Sequence, residues 1–199
     1  AADLTPDAAT TALHKAVGFF RANCGYQGGY VYLVSSDLQH RKGEEPVGPK
    51  TAWLQPPGTP AVGMAYLDAY RLTHDPVLLD AAKEAADALI RTQLVSGGWN
   101  DSLELDPAER PKYAFRVDLG PQGKVGKLRN TSTFDDNKSQ SAIRFLMQLD
   151  KELGFQDARL HEAARYALDS FCKAQYPNGA WQQRFSDFPT AADHPVKKA

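Results

Sequence analysis

The chain has 199 residues, with 23 Lys+Arg against 24 Asp+Glu for a formal net charge of −1. Hydrophobic residues make up 42% and charged residues 24%, the balance of an ordinary globular protein long enough to bury a core without staples. A pI of about 6.6 gives no global basic field for nucleic acid, and at a mean hydropathy of −0.48 no apolar run reaches the ~18 residues of a membrane span.

In chain order, residues 12–30 (ALHKAVGFFRANCGYQGGY) form the first amphipathic helical stretch, ending in Gly28-Gly29-Tyr30. A long connection, 31–58, leads to residues 59–73. These open on Thr59-Pro60, a capping residue followed by proline in the first helical turn, and read as a helix. The short turn His74-Asp75-Pro76 starts the next helix, whose Leu78, Ala82, Ala85, Ala86 and Leu89 share one face. That helix runs toward Gly97-Gly98-Trp99, where the glycines are expected to end it in a left-handed C-terminal cap. A second long connection, 100–134, precedes a helix over 136–153, for which Asp135 and Asp136 are acceptable caps. The turn Gly154-Phe155-Gln156-Asp157 then leads into the last helix.

That last helix repeats an earlier one. Ala81, Ala82, Ala85, Asp87, Gln93, Gly97 and Trp99 recur at a constant offset of 82 as Ala163, Ala164, Ala167, Asp169, Gln175, Gly179 and Trp181. The stretch 12–30 is a degenerate third copy. The unit is a helical hairpin, and since no window alternates cleanly enough for a strand, the expected fold class is all-α. Every long excursion leaves a Gly-x-aromatic end, so alternating helices place 31–58, 100–134 and the tail from 182 on one rim. Long excursions of this kind are usually functional, so the rim is read as the working surface.

Several signatures are missing. Cys24 and Cys172 have no second ligand nearby, which disfavours zinc and leaves a disulfide and two thiols both open. His14, His40, His74, His161 and His194 show no two-histidine helical spacing, and there is no G-x-S-x-G elbow, Walker loop or dinucleotide fingerprint. Arg110, Arg116, Lys124, Lys127 and Arg129 in the middle excursion read first as solvated charge. Gln93 and Gln175 read as ties to backbone at the helix ends, whereas Trp99 and Trp181 suit core packing and sugar stacking equally well. The segment Thr131-Ser132-Thr133-Phe134-Asp135-Asp136-Asn137 holds the densest oxygen ligands in the chain. Two acids do not complete a calcium shell, and the spacing is not that of an EF-hand, so pattern alone favours capping.

At this point a resemblance enters. STFDDNKSQSAIRFL (132–146) is similar to the S-T-I-D-N-G-A-T-T-T-Q-I-R-F-L motif of the family-ten polysaccharide lyases, the pectic acid lyases. AQYPNGAWQQ (174–183) resembles their A-Q-Y-x-N-G-G-W-P-Q stretch, and SGGWND (96–101) their N-G-G-W-P-K copy. The likeness runs through most of residues 80–183. It implies a partial α/α toroid of helical hairpins in a single domain over 1–199. It also implies Ca²⁺-dependent β-elimination on polygalacturonate or a related acidic polysaccharide, by a secreted or periplasmic monomer.

By this resemblance Asp135 matches an acid of the metal or substrate site, and the expected substrate contacts are Trp99, Asn100, Arg116, Asp136, Asn137 and Trp181. Asp101, also on the rim, is expected to matter less. The arginine that serves the family as base, and its second acidic motif, match nothing in these residues, so no catalytic base is assigned. The tail FSDFPTAADHPVKKA shows no closing helix and reads as a truncation, which leaves only part of the active site on this chain. Ala1-Ala2-Asp3 reads as a mature terminus or a cloning boundary. The competing reading is a noncatalytic carbohydrate-binding or helical-repeat interaction module on the same scaffold.

Overall fold

A computed structural model describes residues 5–120 and 123–195; the start Ala1-Ala2-Asp3 and the final residues 196–199 lie outside the described residues. The first helix, α1 (Pro6–Phe19), is capped by Thr5 and runs into a π-helical turn over Phe20–Cys24. Two hairpins follow, α2 (Thr59–Thr73) with α3 (Pro76–Arg91), and α5 (Lys138–Glu152) with α6 (Ala158–Lys173); α4 (Arg116–Leu119) is a single turn between them. Both short turns work through an aspartate. Asp75 Oδ1 accepts from Val77 N at 3.0 Å, and Asp157 Oδ1 accepts from Arg159 N and Leu160 N at 3.1 Å.

The core is built on α3. Leu78, Ala81, Ala82, Ala85, Ala86, Ala88 and Leu89 are all buried, and α3 touches α2, α5 and α6. Alanine on so much of a helix lets neighbours approach closely, while Leu67, Phe145, Leu146 and Leu149 from the flanking helices supply the bulk. Where α2 meets α5, Gly63 makes room for the Phe145 ring, which would lie 2.4 Å from a Cβ at that position.

The all-α expectation is corrected by the three excursions. The first holds β1 (Leu33–Val34), β2 (Arg41–Lys42), β3 (Pro46–Val47) and β4 (Thr51–Trp53). The second holds β5 (Ser102–Glu104) and β6 (Ser132–Thr133), and the tail holds β7 (Arg184–Phe185). All ladders are antiparallel: β1–β2–β3 form one sheet, Trp53 pairs with Ser102 in β4–β5, and Ser132 pairs with Phe185 in β6–β7. Strands of two or three residues are too short to show an alternating pattern. They arise because the excursions must satisfy their backbone, the first within itself in β1–β2–β3 and the others across excursions in β4–β5 and β6–β7.

The repeat carries the same hydrogen bonds in both full copies. Gln93 Nε2 donates to Gly97 O at 3.0 Å, and Gln175 Nε2 to Gly179 O at 2.7 Å. Trp99 Nε1 donates to Leu89 O and Trp181 Nε1 to Phe171 O, each at 2.8 Å and each ten residues back. The expected tie from glutamine to backbone is therefore present. The glycine cap is displaced: α3 ends at Arg91, capped by Thr92, and Gly97 (φ 106°) serves the following turn. A side chain there would also collide with Ser170, whose Cβ lies 2.1 Å from the position a Cβ would take.

Gly97→Ala is expected to cost more than about 2 kcal/mol, since unfavourable backbone and overlap combine. Ser170→Gly in the same chain should recover the overlap share only. Chemical denaturation of wild type, both single variants and the double variant checks this, with Gly126→Ala as a positive-φ control that has open space around it.

Candidate functional site

The second Gly-Gly-Trp turn is pinned by serines. Gly98 N donates to Ser132 Oγ at 2.9 Å, and Ser132 Oγ lies 2.7 Å from Ser96 Oγ. Trp99 N donates to Ser139 Oγ at 3.4 Å. The beginning of the Ser132-Thr133-Phe134-Asp135-Asp136 motif is thus structural: it fastens the second excursion to the turn that launched it. Phe134 fastens the next step, stacked on Phe185 at 5.1 Å and edge-on to Phe171 at 4.8 Å between ring centroids.

With Phe134 anchored inward, the chain must turn sharply to enter α5. Asp136 (φ 46°, ψ 40°) and Asn137 (φ 60°, ψ 25°) both take left-handed backbone, which Asp and Asn tolerate better than other residues with a side chain. Asn137 occupies the capping position of α5, and no side chain caps that helix. Neither acid of the motif is a helix cap, contrary to what pattern alone favours.

The turn faces a cleft of about 470 Å³ lined by residues of all three excursions. Glu44 and Trp53 come from the first, Asn100 and Asp101 from the start of the second, Asp135, Asp136 and Lys138 from its end, and Arg184 from β7. The Lys138 side chain is only 2% exposed, and its ammonium lies 2.6 Å from Asp101 Oδ1 and 3.8 Å from both Asp135 Oδ2 and Glu44 Oε2. The half-exposed Arg184 approaches the other oxygen of Asp101 at 3.1 Å. Gln55 Nε2 donates to Asp136 Oδ2 at 3.4 Å. Trp53 is almost fully buried and its Nε1 has no partner in the protein; nor has the buried Tyr32 hydroxyl, whose ring meets Trp53 edge-on at 6.2 Å. Burial holds the Tyr32 phenol above its ordinary value; the neighbouring Trp53 indole opposes the rise, and Glu44 and Asp136 add to it.

Of the residues expected from sequence, Asn100, Asp135 and Asp136 meet in this cleft. Asn137 is exposed beside them but does not line it. Trp99 is wholly buried and presents no face to a sugar, a correction whose reason is its place in the core among the helices. Trp181 is 49% exposed but lies outside the cleft lining. Arg116 is likewise elsewhere: it stacks 3.5 Å over the Tyr166 ring, donates to Gln93 Oε1 at 2.6 Å and pairs with Glu162. Glu44, Trp53, Lys138 and Arg184, which the sequence did not single out, line the cleft too, and so does Asp101. Arg184 and Asp101 each follow a Gly-x-Trp copy within a few residues, which was the one available signal. Both cysteines are free, Cys24 buried and Cys172 exposed.

The residues do not fit a calcium ion at the focus of these acids. A Ca²⁺ shell needs six to eight oxygens. Here the focus is taken by an ammonium, both oxygens of Asp101 are engaged by cations, and among the described residues no group of three His, Cys, Asp or Glu could hold a metal.

A pectic acid lyase family model matches residues 112–194, the part of the chain that supplies Asp135, Asp136, Lys138 and Arg184. The resemblance to the family-ten polysaccharide lyases is thereby borne out. The family 10 polysaccharide lyase from Cellvibrio cellulosa is similar in fold, with a TM-score of 0.53 at 19% identity over 91% of this chain and 56% of that one. A mutant of that lyase, in complex with trigalacturonic acid, gives a TM-score of 0.54 at 20% identity over 91% and 57%. The chain therefore spans little more than half the length of these lyases. No curated relative matches it. No helix among the described residues is long and apolar enough to cross a membrane.

Asp135→Asn is expected to leave stability within about 0.5 kcal/mol of wild type, because no capping bond is lost. Asp101→Asn should cost more, about 1–3 kcal/mol, because it removes the short contact to a buried ammonium. Urea unfolding of the two variants side by side tests the order.

Proposed function

We propose that this chain is the carbohydrate-binding part of a pectate-lyase-type enzyme that cleaves polygalacturonate by β-elimination, with the cleft around Lys138 as its sugar site. The observation that carries the reading is the pectic acid lyase match over residues 112–194, which holds the turn and the strand that form one wall of that cleft. The fold shared with a lyase and the trigalacturonic acid bound to its mutant form support it.

The chemistry follows from the groups present. Arg184, about half exposed and paired with Asp101 through one amino group, offers its remaining N–H donors to a uronate carboxylate. Asp136 and Glu44 accept hydrogen bonds from sugar hydroxyls, and the Asn100 amide both donates and accepts. Abstracting the proton next to a uronate carboxylate builds charge on that carboxylate, and Arg184 opposes that charge. No residue of the cleft is assigned as the base. A polymer outside the cell as substrate suits a secreted or periplasmic protein, and that placement belongs to the same proposal.

Calorimetry with oligogalacturonate is expected to show saturable binding, and Arg184→Ala should weaken it about tenfold through loss of a charged hydrogen bond. Products made by an active form should carry the ultraviolet absorbance of an unsaturated uronide. New reducing ends without that absorbance mean hydrolysis and refute the lyase reading; binding with no cleavage by any form favours the noncatalytic module.

A further inference from the structure

Lysine is an uncommon residue to bury, because its ammonium loses hydration that only close acceptors replace. Lys138 is the one fully buried lysine among the described residues. Its place is the first residue of α5, where a cation is disfavoured by the positive end of the helix. In the lyase motif quoted above, alanine stands at this place. Two general preferences are thus overridden at one residue, and the acids around it supply the compensation.

The arrangement suits an ammonium in charge. Lys138 Nζ donates a hydrogen bond to Asp101 Oδ1 at 2.6 Å, and two further carboxylates, Glu44 Oε2 and Asp135 Oδ2, stand at ion-pair distance, 3.8 Å. Each comes from a different stretch of the rim. Glu44 lies between β2 and β3, Asp101 between Trp99 and β5, and Asp135 in the left-handed turn before α5. Such convergence of acids from separate segments is what a divalent cation would otherwise organise.

We infer that the Lys138 ammonium is the resident cation of this cleft, standing where the lyase resemblance leads one to expect Ca²⁺ and joining the first excursion to both ends of the second without a metal. Asp101 has no oxygen left to offer, since Arg184 holds the one that Lys138 does not. A divalent ion brought to Asp135 or Glu44 would meet the like charge of the ammonium at short range, in a setting where water screens it poorly. The inference goes beyond the lyase reading and does not depend on the sugar, so it is tested without one.

The probes are Ca²⁺ titrated by calorimetry and the thermal midpoint in Ca²⁺ against chelator, on the full chain. Wild type should show no saturable Ca²⁺ binding below millimolar concentrations and the same midpoint in both media. Lys138→Ala should lose about 5–10 °C in chelator, as expected when one partner leaves a buried pair. With the ammonium gone, the three carboxylates it now holds apart are free to close on Ca²⁺, which they should bind at least tenfold more tightly than wild type does, and the ion should restore part of the lost midpoint. Lys138→Arg, which keeps the charge, should stay indifferent to Ca²⁺. Saturable Ca²⁺ binding by wild type that vanishes in Asp101→Asn overturns the inference. A folded Lys138→Ala that ignores Ca²⁺ overturns it too. Should Lys138→Ala not fold in either medium, the wild-type and Lys138→Arg titrations decide alone.

Discussion

The fold depends on how a buried helix end is closed. The last carbonyls of α3 have no partners within the helix, and burial denies them water. The Trp99 indole reaches back ten residues to one of them, Leu89 O, while Gln93 closes the following turn on Gly97 O and also donates to Ala163 O at 3.0 Å on α6. Trp99 and Gln93 are essentially inaccessible, so these bonds form away from competing water. Their geometry sends the chain out onto the rim at a set angle. The second excursion and the tail each start from such a closure, and the cleft is assembled from what the excursions carry.

Once launched, the excursions pack on the helices through Leu54, Leu103 and Leu105 and also stabilise one another. β4 pairs with β5 and β6 with β7, so the first excursion is zipped to the start of the second, and the end of the second to the tail. Ser132 ties that second excursion back to Gly98. Two-residue ladders are weak on their own, and the charge cluster at Lys138 adds a link across the same three segments. This explains why the cleft forms where the ladders meet.

Two chemically similar tryptophans separate into different roles by their neighbours. Trp99 sits under the second excursion and is entirely buried, whereas Trp181, with the same hydrogen bond in the equivalent place, is half exposed. The repeat specifies a local closure and not an exposure. Arg116 shows the same thing for charge, because Tyr166, Gln93 and Glu162 use up a guanidinium that looked available on the rim.

Sequence by itself determined the helices, the repeat, the turns capped by Asp75 and Asp157, and the rim as the place where the long excursions gather. Those features depend on neighbours a few residues apart, and periodicity and capping chemistry report them directly. Pattern alone read Asp135 and Asp136 as caps, and only the family resemblance pointed to them and to Asn100, which line the cleft. Only the tertiary structure decided that the excursions pair into small sheets, that Trp99 is core, and that Lys138 sits among Glu44, Asp101 and Asp135 with Arg184 alongside. Those contacts join residues tens of positions apart, and a two-residue strand or a single lysine carries no pattern that announces its partner. The charge of Lys138 is legible in the chain; its burial, and the acids that make burial tolerable, exist only once three excursions have met.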